Sequence, residues 1–204
     1  MTAIDSITIE APDPAAATAF YDAAFGLGDR LRVRGATSPT SGFRGFTLSL
    51  LVSQPADADA LLHSALDAGA TTVKPGARSL WGYGGVVQAP DGTLWKVATS
   101  SRKDTGPATR DVEQVVLLLG TTDITESKRF YVERGLSVAR SFGRKYVEFD
   151  SASAGVKLAL YGRKALAKDA GVPQDGDGSH RIAIGADAGV FTDPDGFEWE
   201  GATV

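Results

Sequence analysis

The sequence predicts an α+β protein built from two tandem βαβββ modules, whose curved mixed sheets surround a central cleft. Two repeated signatures predict it, a capped amphipathic helix and a Pro-Asp-Gly turn, together with the apolar strand-like runs that lie beside them. Self-similarity along a chain indicates architecture more strongly than any local pattern does. We expect module one over residues 1–99, a linker over 100–111 and a shortened module two over 112–204, which together form one pseudo-symmetric unit.

The composition excludes several classes of function. The chain has 204 residues, 43% of them hydrophobic, which is enough to bury a substantial core. Its formal net charge of −4 gives little attraction for phosphate backbones, so nucleic acid is not an expected partner. The absence of cysteine excludes disulfides, thiolate zinc sites and cysteine nucleophiles. Without a membrane-spanning run or an apolar leader, a cytoplasmic protein that does not bind a membrane is expected.

The first repeated signature is a short helix that begins at an aspartate. In the segment Asp13–Tyr21, the aspartate is a good N-cap and Pro14 suits the first helical position. The segment Asp123–Tyr131 follows 110 residues later, with Glu126 three residues after its aspartate as in a capping box. Both segments end in Phe-Tyr on the apolar face, so each half is expected to contain the same helix after its first strand.

The second repeated signature is a tight turn between two strands. Pro90-Asp91-Gly92 and Pro194-Asp195-Gly196 stand 104 residues apart, and apolar runs flank both. Pro-Asp-Gly between such runs is typical of a turn that joins paired strands. Each half is therefore expected to end in a hairpin.

The segments between these signatures differ between the halves. Module one is expected to contain a strand at Phe46–Ser53 and a helix at Ala58–Ala68, whose leucines share one face. Module two has strand patterns at Lys145–Phe149, Val156–Tyr161 and His180–Ile184, and a helical turn at Lys164–Ala170. The equivalent of the Ala58–Ala68 helix is expected to be deleted there.

This element order, with Asp followed by Phe-Tyr after the first strand and Pro-Asp-Gly before the last, resembles the vicinal-oxygen-chelate superfamily. That superfamily includes glyoxalase I, extradiol dioxygenases and bleomycin-binding resistance proteins, and the resemblance spans essentially the whole chain. It implies that each module supplies one metal ligand from its first strand, usually His, and one from its last strand, usually Glu. The four ligands of such a site meet in a cleft between the curved sheets.

The resemblance places mostly poor metal ligands at those four positions. In module one they are Ser6 and Lys96; in module two they are Glu200 and either Gln114, from its local context, or Val116, from the ungapped offset. Only the glutamate is a strong ligand for a divalent ion, and a lysine ammonium has no lone pair to donate. We therefore expect no metal and no other cofactor at this site.

Other side chains are candidates for a role in the same cleft. In the superfamily the last strands approach each other across the cleft, so Lys96 and Glu200 are expected to pair, either to neutralise one another or to orient a polar ligand. With His180, one of only two histidines in the chain, they are the catalytic candidates, although a lone histidine at a strand start is more often structural. Six aromatic residues are candidates to line the cleft, or else belong to the core: Phe43, Phe46, Trp81, Tyr83, Phe142 and Tyr146.

The leading hypothesis for function is binding of a small, partly aromatic molecule, such as an antibiotic or a metabolite, in the inter-module cleft without a classical metal site. The alternative is a glyoxalase-like lyase, isomerase or dioxygenase, either metal-free or with a non-standard metal site. A third class is an interaction module without a ligand. A monomer and a homodimer are both compatible with the sequence.

Overall fold

Two mixed β-sheets form the framework of the protein in the computed structural model, which describes residues 4–151 and 155–201. The elements of the first half are β1 (Ile4–Ala11), α1 (Pro14–Ala24), a 3-10 turn (Gly28–Arg30), β2 (Leu31–Gly35), β3 (Thr40–Gly42), β4 (Phe46–Leu51), α2 (Pro55–Asp67), β5 (Thr71–Ser79), β6 (Gly82–Gln88) and β7 (Leu94–Thr99). Those of the second half are β8 (Gln114–Thr121), α3 (Ile124–Glu133), β9 (Val138–Ser141), β10 (Tyr146–Phe149), β11 (Lys157–Gly162), α4 (Arg163–Ala170), β12 (Gly176–Gly178), β13 (Ile182–Ala186), β14 (Phe191–Thr192) and β15 (Glu198–Gly201). Within these residues, no helix has the length and apolar character that crossing a bilayer requires.

The larger sheet has eight strands in the order β5-β6-β7-β4-β8-β11-β10-β9. It consists of two complete βαβββ units, β4-α2-β5-β6-β7 and β8-α3-β9-β10-β11. In each unit the first and last strands are parallel neighbours. The two first strands, β4 and β8, pair antiparallel and join the units in the middle of the sheet. The predicted tandem βαβββ architecture is confirmed.

The smaller sheet takes its five strands from both ends of the chain. Its order is β14-β15-β13-β1-β2, and β1 pairs antiparallel with β13. Because each sheet contains strands of both halves, the division into modules 1–99 and 112–204 stays a prediction. Only residues 187–190 separate β13 from β14, so this group of strands has no counterpart of α2.

Aromatic contacts between a helix and a last strand occur once in each half. The rings of Tyr21 on α1 and Trp95 on β7 have centroids 5.5 Å apart, and those of Tyr131 on α3 and Trp199 on β15 are 5.3 Å apart. All four side chains are buried. The repeated Phe-Tyr signature therefore packs each helix against the strand that follows the repeated Pro-Asp-Gly turn.

The tyrosine hydroxyls also fasten these turns. Tyr21 Oη donates to Asp91 Oδ2 in the first turn, and Tyr131 Oη donates to Asp193 Oδ2 at the second. The second acceptor is the aspartate before the proline, so the repeat is not exact at this contact. Asp193 Oδ1 accepts from the backbone of Phe197 at 2.8 Å, which fixes the shape of the turn. Burial raises the pKa of the Asp193 carboxyl, whereas its hydrogen bonds oppose that shift.

We predict that Tyr131→Phe lowers the free energy of unfolding by about 1–3 kcal/mol, because Asp193 Oδ2 is then left without its hydrogen-bond donor in a buried site. Urea denaturation measures the change. Tyr146→Phe is the control, since its hydroxyl bonds to the partly exposed Glu148 and its removal should cost less. A smaller loss for Tyr131→Phe than for Tyr146→Phe would contradict the anchoring role.

Candidate functional site

One row of side chains crosses the open face of the eight-stranded sheet, opposite the face that packs on α2 and α3. Residues that pair in register on neighbouring strands share a face of the sheet. Register pairs connect six strands in this way. The row, from β5 to β11, is Lys74, Val86, Lys96, Ser49, Val116 and Lys157. Three lysines therefore lie on one level of one face.

Helix α4 covers the middle of this open face. It packs on β4, β8 and β11, and its buried Leu166 belongs to a small apolar cluster with Phe43 and Leu94. Lys96 Nζ pairs with Asp169 Oδ2 of α4 at 2.7 Å. Lys74 Nζ donates to the backbone carbonyls of Lys168 and Asp169, where a cation is favourable because the helix dipole places partial negative charge at the C-terminus. Lys74 and Lys96 thus hold the C-terminal end of α4 on the sheet.

Beside α4 the same face forms an open groove of about 440 Å³, which we name the Lys96 groove. Strands β5, β6 and β7 supply its floor, and Asp169 of α4 forms one wall. The cationic side chains along it are Lys74, Arg78 and Lys96. Apolar contacts come from side chains such as Val86 and Ala98. Sequence reasoning found Lys96 but missed Lys74 and Arg78, because their place on the sheet depends on the pairing of β5 with β6.

Two of the aromatic candidates, Trp81 and Tyr83, border the Lys96 groove. Trp81 lies on the rim of the Lys96 groove and is 87% exposed. Tyr83 lies on the other face of β6, where its ring packs on the main core and its hydroxyl donates to Asp59 Oδ1 of α2 at 2.6 Å. That hydrogen bond, with burial, raises the pKa of Tyr83 to about 12. Tyr83 therefore borders the groove as predicted, but its ring is also held by the core and by α2.

The four remaining aromatic candidates lie outside the Lys96 groove. Phe46 is buried in the main core, and Phe43 packs with α4; both border a second pocket of about 370 Å³ on the other side of the α4 C-terminal loop. Tyr146 is on β10, where its ring packs against the exposed Phe142. Burial and a hydrogen bond to Glu148 Oε2 at 2.9 Å raise the pKa of Tyr146 well above its ordinary value.

Ser6 and Glu200 belong to the other sheet, which overturns the expectation of one four-residue cleft. Both are in register with Gly185 on the central strand β13 of the five-stranded sheet. Glu200 pairs with Arg34, which also pairs with Glu10 at 2.7 Å. The predicted Lys96–Glu200 pair is therefore wrong, because β15 pairs with β13 and β14, not with a strand of the eight-stranded sheet.

Gln114 stands at the start of β8, two register pairs away from the lysine row. Its Nε2 donates to the backbone carbonyl of Gly155 at 2.8 Å. Of the two alternatives for this position, Val116 is the residue in register with Ser49 and Lys157. The ungapped offset between the halves therefore predicted the residue that lies in the row, Val116.

His180 joins backbone segments from the two halves. Its Nδ1 lies 2.6 Å from the carbonyl oxygen of Arg44 and its Nε2 lies 3.1 Å from that of Asp195. The imidazole stacks on Phe197 with ring centroids 4.0 Å apart. It does not line the Lys96 groove, and both ring nitrogens face carbonyl groups. These contacts give His180 a structural role at the turn before β15.

The residues present do not fit the metal ion that the resemblance implies. In the complete units, the first- and last-strand positions of the row are Ser49, Lys96, Val116 and Lys157, which offer one hydroxyl group and two ammonium groups. In the five-stranded sheet, Glu200 is engaged by Arg34. Across residues 4–151 and 155–201, no three His, Asp or Glu side chains gather as ligands for a metal ion.

Two solved structures share the architecture along nearly the whole chain. Glyoxalase I from Zea mays matches with a TM-score of 0.63 and 13% identity, over 98% of this chain and 91% of that one. A putative dioxygenase from Bacillus subtilis matches with a TM-score of 0.62 and 12% identity, over 98% of this chain and 84% of that one. The chain has a glyoxalase-like fold. The structural similarity establishes the fold of the chain. At identities this low, it says nothing about the chemistry of the chain.

Sequence comparisons add nothing to this assignment. No family model matches the chain, and no curated protein matches it. The function proposed below therefore rests on the residues of this chain.

We predict that Leu166→Ala lowers the free energy of unfolding by about 2–5 kcal/mol, because Leu166 is fully buried between α4 and the open face of the sheet. Urea denaturation followed by circular dichroism measures the loss. Lys164→Ala on the exposed side of the same helix is the control and should change little. Equal stability of the two variants would show that α4 does not pack there.

We also predict that freshly purified, untagged protein contains no stoichiometric transition metal bound at the lysine row or at Glu200, because an ammonium group repels a divalent ion and the carboxylate is already paired. Elemental analysis measures the metal content, and the melting temperature should not fall when a chelator is added. About one metal ion per chain, lost on chelation together with stability and with Glu200→Gln, would contradict the prediction.

Proposed function

We propose that this chain binds a small, partly aromatic molecule in the Lys96 groove without a metal ion. The observation that carries the proposal is the exposed Trp81 ring on the rim of a groove that also has apolar floor residues and charged side chains. Small-molecule sites combine a mostly apolar concave surface with a few polar groups, in volumes of roughly 300–1,000 Å³. The 440 Å³ groove falls within that range.

The backbone around Trp81 holds this side chain at the rim. The Trp81 amide donates to Ser79 Oγ at 3.1 Å, and Arg102 donates to the Leu80 carbonyl at 2.9 Å. Gly82 has a φ of +130°, and a Cβ there would stand 1.9 Å from the Thr99 carbonyl oxygen. Only glycine allows this approach to β7. The loop therefore fixes the backbone beside an indole that contributes little to the core, as a binding surface for a flat ring requires.

The geometry does not favour the enzyme alternative. A metal-free lyase or isomerase needs proton-transfer groups within reach of the same substrate atoms. Lys96, Glu200 and His180 instead occupy separate places, on the eight-stranded sheet, on the five-stranded sheet and between two backbone carbonyls. Binding needs no such convergence. The cytoplasmic location and the monomeric or dimeric state remain predictions.

The test uses N-phenyl-1-naphthylamine, an uncharged flat aromatic probe that fluoresces in apolar sites. We expect saturable binding, quenching of tryptophan emission and a higher melting temperature. Trp81→Ala should weaken binding by about tenfold, since an aromatic contact is worth about 0.5–1.5 kcal/mol beyond the apolar area it buries. The other two tryptophans are buried in the core and give the background emission.

Leu80→Ala is the matched control, because Leu80 is as exposed as Trp81 and lies on the same loop but does not line the groove. It should leave the affinity unchanged. Absence of probe binding, or equal weakening by both variants, would contradict the proposed function and favour the interaction-module class.

A further inference from the structure

We infer that the ligand of the Lys96 groove is a small aromatic acid, whose anionic group binds Lys96. This inference rests on the proposed function and specifies its ligand class. It is carried by the charge of the groove, by the accessibility of the Lys96–Asp169 pair and by the contrast with the equivalent lysine in the second unit.

The Lys96 groove carries an excess of positive charge. Three cationic side chains, Lys74, Arg78 and Lys96, face one carboxylate, that of Asp169, which leaves an excess of two positive charges. Lys74 donates to carbonyl groups, which carry no net charge to neutralise it. Among the described residues, Arg78 forms no ion pair. The whole chain has a net charge of −4, so this positive groove is a local feature that attracts an anion.

Lys96 is accessible to an incoming anion. The side chains of Lys96 and Asp169 are 34% and 42% exposed. An ion pair in such contact with water is weak, so exchange of one carboxylate partner for another is inexpensive. The anionic group of a ligand can therefore replace Asp169 at Nζ or share the ammonium with it. Trp81 lines the same groove and offers its ring to the rest of the molecule.

The second unit contains an equivalent lysine that lacks such a groove. Lys157 occupies the position of Lys96 on the last strand of its unit and is in register with Val116. It pairs with Glu148 at 3.0 Å, and Tyr146 donates to the same carboxylate. These lysine and glutamate side chains are only 26% and 18% exposed. Lys157 is thus a built-in control, a lysine at the same place in the fold whose partner is held more firmly.

The experiment compares two probes that differ in one charged group. The full-length chain is titrated with 1-anilinonaphthalene-8-sulfonate, an aromatic anion, and with N-phenyl-1-naphthylamine, which has the same ring system without the sulfonate. We expect the anion to bind about two- to fivefold more tightly, which is the gain that an ion pair in contact with water supports. Its affinity should fall as salt is added, whereas that of the neutral probe should not.

Four variants locate the effect. Lys96→Met should remove most of the preference for the anion over the neutral probe, while Lys96→Arg should retain that preference. Asp169→Asn should strengthen binding of the anion several-fold, because Lys96 loses its competing carboxylate. Lys157→Met should change neither affinity. Circular dichroism and melting temperature confirm that each variant is folded.

The outcomes separate this inference from the proposed function. If the neutral probe binds and responds to Trp81→Ala while the anion binds no more tightly, the acidic ligand is wrong and the proposed function stands. If Lys157→Met weakens the anion as much as Lys96→Met does, or if Asp169→Asn has no effect, the inference is also overturned. If neither probe binds, the proposed function fails first.

Discussion

The antiparallel pairing of β4 with β8 sets the arrangement of the eight-stranded sheet. It joins the two complete units, and it aligns Phe46, Leu48 and Leu50 with Leu119, Leu117 and Val115 on the buried face. The same register aligns Ser49 with Val116 on the open face. A slip by one residue would exchange the two faces and expose the core, so the apolar pattern fixes the position of the lysine row.

Helix α4 covers one part of that face of the sheet and leaves the other part exposed. The segment between β11 and β13 has to cross from one sheet to the other, and its helix buries Leu166, Ala167 and Ala170 on the way. The face over β4, β8 and β11 is therefore covered, while the face over β5, β6 and β7 remains a groove. Contacts from Lys74 and Lys96 to the end of α4 set the boundary between them.

The last strand of each complete unit carries a lysine that forms an ion pair on this face of the sheet. The glyoxalase fold brings the first and last strands of each unit side by side, so any charged residues at those positions act together. Here the last strands carry Lys96 and Lys157, and each lysine forms an ion pair with a carboxylate of another element. One partner comes from a helix and stays partly open to water; the other comes from a neighbouring strand and is reinforced by a tyrosine. The Lys96 pair is therefore more accessible to water than the Lys157 pair.

Local patterns in the sequence were enough to predict the fold class, the helices that begin at Asp13 and Asp123, and the turns at the two Pro-Asp-Gly signatures. These features depend on local capping, turn geometry and apolar periodicity, which a single chain displays directly. Other features became visible in three dimensions alone. Ser6 and Glu200 lie in one sheet and Lys96 in the other. The Tyr83 hydroxyl reaches α2, and Lys74 and Asp169 line the groove. Strand order and register arise from long-range pairing between segments that carry no local record of their partners, and such pairing decides which side chains meet.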